Sequence, residues 1–270
     1  MSAEPIIQIH DLHAHFQTLQ VLRGINLDIF PNETIVILGR SGCGKSTLLR
    51  NIVGLLRPTS GFAKVKGVDL SAAVEPPRNE VLKKLGMLFQ GGALFNSMTI
   101  AENVSLPLVE HTQLEPSTIQ IMARIKLELV GLSDFEHFMP SQLSGGMKKR
   151  AALARALAMD PEILCCDEPS AGLDPIVAAG IDQLLLKLKQ AFRMTLIVVT
   201  HELSSVFVIA DRIALLDDGE IVFSGTKEQM RTSDHPVVVQ FLERRADPDV
   251  LDRERYLISI MGQNSDRPDR

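Results

Sequence analysis

The stretch TIVILGRSGCGKSTLLR, from Thr34 to Arg50, decides the fold of this 270-residue chain. Residues 34–38 form an apolar run that predicts a buried strand, and the leucines after Lys45 fall at helical spacing. Between these two elements, Gly39–Thr47 matches the pattern G-x-x-x-x-G-K-[ST]. In such a loop, backbone N–H groups and the N-terminus of the following helix bind phosphate oxygens. The stretch therefore predicts a nucleotide-binding core of the P-loop class.

The residues of this loop have distinct predicted tasks. Gly42 and Gly44 let the backbone turn so that successive N–H groups converge on phosphate oxygens. Lys45 is predicted to reach the β- and γ-phosphates of the nucleotide, and the Ser46 hydroxyl is predicted to ligate Mg²⁺. The predicted nucleotide-binding residues of the loop are Gly39, Arg40, Ser41, Gly42, Cys43, Gly44, Lys45, Ser46 and Thr47.

A second motif, ILCCDEP at 163–169, supplies the acidic groups that a metal–nucleotide site needs. Its four apolar residues predict a buried strand in which Cys165 and Cys166 are small core residues rather than metal ligands. Asp167 and Glu168 follow at the carboxyl end of that strand, where open α/β sheets bind their ligands. We assign Asp167 to the Mg²⁺ shell, through water, and Glu168 to orienting and deprotonating the attacking water.

Composition is that of an ordinary globular protein and argues against several classes. The chain is 45% hydrophobic and 23% charged, and its net charge of −5 argues against nucleic acid as a partner. The apolar runs are much shorter than the roughly 20 residues needed to cross a bilayer, and the first residues lack the pattern of a secretory signal. Three cysteines, two of them adjacent, form no disulfide framework, so we expect a reducing cytosol.

Hydrophobic periodicity predicts how the chain is organised. Alternating strands near the N-terminus predict a partly exposed antiparallel sheet, and later buried strands with helices between them predict a parallel sheet. The segment of about 91–160 is helical in pattern and is predicted to be an insert in this core. Residues 243–270 are predicted to form a helical extension, with Val250, Leu257 and Met261 on one face, followed by a polar tail.

A third motif, LSGGMKKRAALARAL, decides among the classes of P-loop protein. Ser144, Gly145 and Gly146 begin a helix with residues small enough to let its backbone approach an anion. Downstream lie SAGLD, which ends at Asp174, and VVTHE, which places His201 at the end of another strand. In this order the motifs resemble the ATP-binding cassette (ABC) family over nearly the whole chain, whereas a GTPase would need an NKxD motif that this sequence lacks.

The resemblance implies a role for each matching residue. Gly39–Thr47 would be the Walker A loop, Asp167 and Glu168 the Walker B pair, and His201 the switch histidine. By the same resemblance, the catalytic residues are Glu168, His201, Lys45 and Gln90, and the Mg²⁺ ligands are Ser46, Gln90 and Asp167. The other nucleotide contacts that it implies are Phe16 and Val21 beside adenine, Gln90 in the Q-loop, Ser144, Gly145 and Gly146 in the signature motif, and Asp174 in the D-loop.

The resemblance also implies a fold and a working assembly. The fold is an α/β ABC nucleotide-binding domain over 5–242, with an antiparallel β subdomain, a parallel-sheet core and an α-helical subdomain at about 91–160. Two copies would form a head-to-tail dimer, with each ATP between the Walker A loop of one subunit and Ser144 and Gly146 of the other. Met147 replaces the glutamine of many relatives; the phosphate-contacting groups precede it, so we expect activity to survive.

The stretch that follows the Q-loop glutamine indicates the membrane partner. MLFQGGALFNSMTIAENVSLPLVEHTQL resembles the ATPases of bacterial MCE-type phospholipid transporters, which maintain outer-membrane lipid asymmetry. This implies an MCE-family transmembrane permease, a periplasmic MCE-domain lipid-binding protein, often a STAS-domain protein, and a peripheral position on the cytoplasmic face of the inner membrane. Ala93, Leu94 and Phe95 would either form an apolar patch that receives a helix of the permease or pack within the subunit.

Two other functions stay open at this point: the ATPase of an amino-acid or other solute importer, and a soluble ABC ATPase such as an iron–sulfur assembly factor. The basic run Lys148–Arg150 is interpreted as solvated or interface charges. Three histidines lie on the first strand, where alternation places His13 and His15 on one face and His10 on the other. We interpret them as exposed strand residues rather than as a metal site.

Overall fold

The computed structural model describes residues 4–73 and 75–245, in which the strands form two sheets. The strands are β1 (Ile7–Phe16), β2 (Leu19–Ile29), β3 (Thr34–Leu38), β4 (Ser60–Val65), β5 (Val68–Asp69), β6 (Leu85–Leu88), β7 (Ile163–Asp167), β8 (Thr195–Thr200), β9 (Arg212–Asp217) and β10 (Glu220–Gly225). The α-helices are α1 (Lys45–Ile52), α2 (Pro77–Leu82), α3 (Ile100–His111), α4 (Pro116–Leu129), α5 (Gly145–Ala156), α6 (Pro175–Phe192), α7 (Leu203–Ile209), α8 (Lys227–Arg231) and α9 (Pro236–Leu242).

The larger sheet has the strand order β10-β9-β3-β8-β7-β6. Its strands run parallel except β10, which pairs antiparallel with β9 at one edge. All residues of β3, β7 and β8 are buried, as expected for strands that are covered on both faces. Leu38 pairs with Thr200, and Asp167 pairs with Val199. The segments that follow these three strands therefore emerge side by side at one edge of the sheet.

Strand β3, which leads into the glycine-rich loop, contributes side chains to two separate cores. Val36 and Leu38 belong to the core that contains the residues of α3 to α6. Ile35 and Ile37 belong to the core formed with β1, β2 and α1. This division follows from the alternation of side chains along a strand. The strand before the loop is thus packed tightly from both faces.

The smaller sheet is antiparallel, with the strand order β2-β1-β4-β5. A bulge interrupts β1 at Asp11, whose φ is 45°, so that Leu12 takes the next inward position. The prediction that His10 faces away from His13 and His15 is therefore wrong, because the extra residue places all three on the outward face. Among the described residues, no group of three or more His, Cys, Asp or Glu side chains could hold a metal ion.

Helices α3, α4 and α5 lie in the segment between β6 and β7. Helix α3 begins with a capping box, in which the Thr99 hydroxyl accepts from the Glu102 N–H and the Glu102 carboxylate accepts from the Thr99 N–H. The predicted architecture of an antiparallel sheet, a parallel core and a helical region is confirmed. We keep 5–242 and 91–160 as proposed boundaries.

Two remaining predictions concern membranes and the C-terminus. None of the helices in the described residues is long and apolar enough to cross a membrane. The extension predicted for 243–270, including Val250, Leu257 and Met261, lies outside the described residues from position 246 onward.

Candidate functional site

The glycine-rich loop between β3 and α1 has the backbone geometry that its sequence predicts. Gly42 and Gly44 have φ values of 84° and 107°, in the left-handed region that favours glycine. A Cβ on Gly44 would lie 2.8 Å from Leu22 and 3.0 Å from the carbonyl oxygen of Val21, so the loop also needs glycine there for space. Lys45 is buried, and its ammonium donates to the carbonyl oxygens of Gly39 and Arg40, each at 2.9 Å.

The Ser46 hydroxyl meets the second acidic motif at the edge of the sheet. It donates to the Asp167 carboxylate over 2.9 Å. Burial raises the pKa of the Asp167 carboxyl, whereas the hydrogen bond from Ser46 and the charge of Arg50 act in the opposite direction. A buried carboxylate beside a hydroxyl fits Mg²⁺, which prefers few protein oxygens and completes its shell with phosphate and water. The residues present therefore fit the predicted metal.

Glu168 is held at its backbone and at its side chain. Its φ of 49° is unusual for a residue other than glycine. Its N–H donates to the Val199 carbonyl oxygen over 2.9 Å, and its carboxylate lies 2.8 Å from the His201 Nδ1 and 3.3 Å from the Thr200 hydroxyl. Because a carboxylate only accepts hydrogen bonds, Nδ1 carries the proton in this pair. The structure thus brings together the predicted general base, Glu168, and the predicted switch histidine, His201.

Gln90 follows β6 and its side chain is exposed. Within the described residues, no hydrogen bond joins its amide to Ser46 or Asp167, the two other predicted Mg²⁺ ligands. Its backbone carbonyl accepts instead from Lys149, a residue of α5. The interpretation of Lys149 as a solvated or interface charge is wrong, because its side chain is buried and also donates to the Glu168 carbonyl oxygen over 2.8 Å.

The residues predicted to contact adenine lie at the hairpin between β1 and β2. Phe16 is the last residue of β1, and 47% of its surface is exposed, so its ring is free to stack on a base. Val21 is partly buried and lies close to the loop residue Gly44, since a Cβ on that glycine would be 3.0 Å from the Val21 carbonyl oxygen. Val21, which is predicted to lie beside adenine, is therefore next to the proposed phosphate site.

The signature and D-loop residues begin two helices. The Ser144 hydroxyl caps α5 by accepting from the Met147 N–H over 3.3 Å. The Asp174 carboxylate caps α6 by accepting from the N–H groups of Ile176 and Val177. Within the described residues, neither cap is hydrogen-bonded to the glycine-rich loop of the same chain. The sequence predicts that Ser144 instead contacts a nucleotide held by a second copy, in a head-to-tail dimer.

Gly146 offers a sharp test of how closely α5 and α6 must pack. A Cβ on Gly146 would lie 2.6 Å from the Val177 Cγ1, whereas a Cβ on Gly145 would meet Leu173 at an ordinary 3.4 Å. We expect Gly146→Ala to lower the free energy of unfolding by about 1–3 kcal/mol through overpacking. Thermal unfolding of the two alanine variants measures this difference. Val177→Ala should restore the stability of Gly146→Ala, and equal stability of the two single variants would contradict the contact.

Sequence reasoning missed Lys149 and Arg155 on α5. Lys149 lies between Gly146 and Leu153, three and four residues away, on the buried side of this helix. That spacing was the available signal, but a run of basic residues usually indicates a solvated face. Arg155 donates to the carbonyl oxygens of Gly92 (2.8 Å) and Ala93 (2.7 Å), just after the Q-loop glutamine.

Comparisons with known proteins agree with this geometry. The family profile described as "ABC transporter" matches residues 22–171. The "Intermembrane phospholipid transport system ATP-binding protein MlaF" of Haemophilus influenzae is 42% identical over 83% of this chain and 84% of its own length. The "Probable ribonucleotide transport ATP-binding protein mkl" of Mycobacterium leprae is 40% identical over 92% of this chain and 72% of its own length.

Solved structures show the same fold. A dimeric ATP-binding cassette in a post-hydrolysis state, bound to ADP and Pi, has a TM-score of 0.76 at 31% identity, over 82% of this chain and 98% of that one. The cassette cbiO1 of Clostridium perfringens, part of the ABC transporter complex cbiONQ, has a TM-score of 0.77 at 27% identity, over 95% of this chain and 99% of that one.

Proposed function

This chain belongs to the ABC transporter family and is an ABC-type ATPase, and from that premise we propose that it powers phospholipid transport between the inner and outer membranes of a Gram-negative-type bacterium. The observation that carries the chemistry is the convergence of the phosphate loop, the Ser46–Asp167 pair and the Glu168–His201 pair at one sheet edge. The proposal that the transported substrate is phospholipid is supported by the similarity to two MlaF proteins, 42% and 40% identical, that are named for intermembrane phospholipid transport.

The side chains at this edge divide the work of ATP hydrolysis. Lys45 neutralises charge on the β- and γ-phosphates, and the loop N–H groups bind their oxygens. Glu168 orients the attacking water and accepts its proton, with His201 holding the carboxylate in place. Mg²⁺, which Ser46, Asp167 and Gln90 would hold, supplies further neutralisation of phosphate charge when bound.

The catalytic site is completed by a second copy of the chain. Dimeric cassettes of this family have been solved, one of them with ADP and Pi bound. In the proposed dimer, the N-terminus of α5 with Ser144, Gly145 and Gly146 faces the γ-phosphate held by the partner subunit. Asp174 contributes at the same interface because its carboxylate caps the start of α6. Ile176, in the first turn of this helix, is 84% exposed and would be available to the partner subunit.

A groove beside the Q-loop supports docking of a membrane permease. It has a volume of about 980 Å³ and is lined by residues of α2, β6, α3 and α5. Phe95 is 49% exposed at its edge, and Asn103 fixes the Phe95 backbone through hydrogen bonds at 2.8 and 3.1 Å. Leu94 is partly buried and packs against the core that includes residues of α3 to α6, whereas Ala93 and Phe95 are exposed.

We expect Phe95→Asp to abolish assembly with the permease while leaving ATP binding to the isolated chain unchanged. The reason is that a charge at the groove edge would have to be desolvated against an apolar partner. Co-purification from native membranes measures assembly, and Ile121→Asp is the matched control, because Ile121 is an exposed apolar residue of α4 outside the groove. Normal recovery of a membrane subunit with Phe95→Asp would show that the groove is not the docking site.

The permease proposed here is an MCE-family protein that works with a periplasmic MCE-domain protein and, in systems that have one, a STAS-domain protein. The chain would then lie on the cytoplasmic face of the inner membrane. One observation favours a second candidate cargo, since the relatives called mkl are named for ribonucleotide transport. Purification with native membrane partners, followed by identification of bound phospholipid or nucleotide, separates the two. Recovery of soluble scaffold proteins without a permease would overturn both.

A further inference from the structure

Lys149 lies between the loop that carries the proposed base, Glu168, and the loop that carries the proposed Mg²⁺ ligand Gln90. Its side chain is only 7% exposed, and its ammonium donates to the carbonyl oxygen of Glu168 over 2.8 Å and to that of Gln90. Both acceptors are backbone atoms, so Lys149 contacts the chain at these residues and leaves their side chains free. The contact joins α5 to the carboxyl ends of the neighbouring strands β6 and β7.

The backbone of Glu168 adopts a strained conformation that such a contact would stabilise. Its left-handed φ of 49° is one that a residue with a Cβ rarely adopts without support from its surroundings. The N–H of Glu168 is fixed by Val199, and Lys149 fixes the carbonyl group on the other side of the same residue. The orientation of the carboxylate toward His201 depends on this conformation, because φ sets the direction of the side chain.

A second basic residue of α5 also binds the backbone of the Q-loop. Arg155 donates to the carbonyl oxygens of Gly92 and Ala93, whose φ values of 74° and 51° are also left-handed. Lys149 and Arg155 therefore bind backbone carbonyl groups within the Phe89–Gly92 turn and directly after it. The signature residue Ser144 is the N-cap of helix α5, so one helix connects the proposed partner-facing end to both loops.

We propose that Lys149 is a positioning residue that fixes the backbones of Glu168 and Gln90 to helix α5, so that these two residues keep a constant separation when that helix moves. The inference rests on the proposed roles of Glu168 and Gln90. An ammonium has three N–H donors, two of which these carbonyl groups use, and its removal leaves both carbonyls without this partner. Burial lowers the pKa of Lys149, and the nearby charges of Glu168 and Asp167 oppose that shift.

The test compares variants of the full chain by kcat and KM for ATP hydrolysis. Lys149→Met removes the donors at nearly constant length, and we expect kcat to fall at least about tenfold while KM and the melting temperature stay near their original values. Lys149→Gln retains two N–H donors and should recover at least a third of the original kcat. Lys148→Met is the matched control, since Lys148 is the adjacent lysine and contacts neither carbonyl; it should stay within twofold.

The outcomes separate this inference from the proposed function. A kcat of Lys149→Met within twofold of Lys148→Met would overturn the inference. It would also be overturned if both Lys149 variants fail to fold or lose ATP affinity as strongly as kcat, because Lys149 would then be a general structural residue. Glu168→Gln is measured in parallel. Its retention of turnover would contradict the proposed base, whereas the Lys149 inference is judged in either case by the rate of Lys149→Met relative to that of Lys148→Met.

Discussion

Replacing Glu168 with glutamine is expected to lower the kcat of ATP hydrolysis by at least about 100-fold, the usual contribution of a positioned general base. Glutamine has the same length and can still accept a hydrogen bond from His201, so the 2.8 Å contact has a substitute. What it cannot do is take a proton from water. ATP binding through the glycine-rich loop is unaffected, and the variant should accumulate as an ATP-bound dimer. Phosphate release and size-exclusion chromatography with ATP measure the two effects.

Glu202→Gln is the matched control for this experiment. Glu202 is also a partly buried carboxylate beyond β8, but its hydrogen bond at 3.3 Å is to Ser170 and not to His201. Its turnover should remain within about threefold of the original. Rapid hydrolysis by Glu168→Gln would show that another group takes the proton, and the assignment of Glu168 as base would then be wrong.

Replacing Lys45 with methionine is expected to weaken ATP binding by about 10- to 100-fold. A hydrogen bond to a charged group contributes about 1.5–3 kcal/mol, and each 1.4 kcal/mol is tenfold in affinity. Methionine matches the length of the aliphatic part of lysine, so the substitution removes only the ammonium group, which donates to the Gly39 and Arg40 carbonyl oxygens. Titration calorimetry with ATP measures the change directly.

The two variants should therefore differ in kind: Glu168→Gln binds ATP without turning it over, whereas Lys45→Met fails at binding. Lys148→Met again serves as the control for loss of one lysine charge, and its ATP affinity should be unchanged. Tight ATP binding by Lys45→Met would mean that the backbone N–H groups of the loop suffice for the phosphates.

Residues that lie in local motifs could be predicted from the sequence. The strand–loop–helix pattern specifies Gly42, Gly44 and Lys45 because backbone turning and phosphate binding use adjacent residues. The Ser46–Asp167 pair also follows, since parallel strands deliver their carboxyl ends to one edge. In the first case a short stretch of chain determines the geometry, and in the second the parallel order of the strands does.

Features that depend on distant backbone atoms could not be predicted. Lys149 is buried because two carbonyl groups, 59 and 19 residues away in sequence, lie where its ammonium can reach them. The bulge at Asp11 is set by pairing of β1 with two neighbouring strands, and it reversed the face assigned to His10. Likewise Leu94 and Phe95 are adjacent apolar residues, yet only the turn held by Asn103 determines which one is exposed.

The division of β3 between two cores has a mechanical consequence. A strand whose alternate side chains, Ile37 and Leu38 among them, are anchored in separate cores cannot slide or tilt without opening one of them. The phosphate loop thus extends from a strand that is held in place on both faces. We therefore expect β3 to hold the phosphate loop in place when ATP is bound or cleaved.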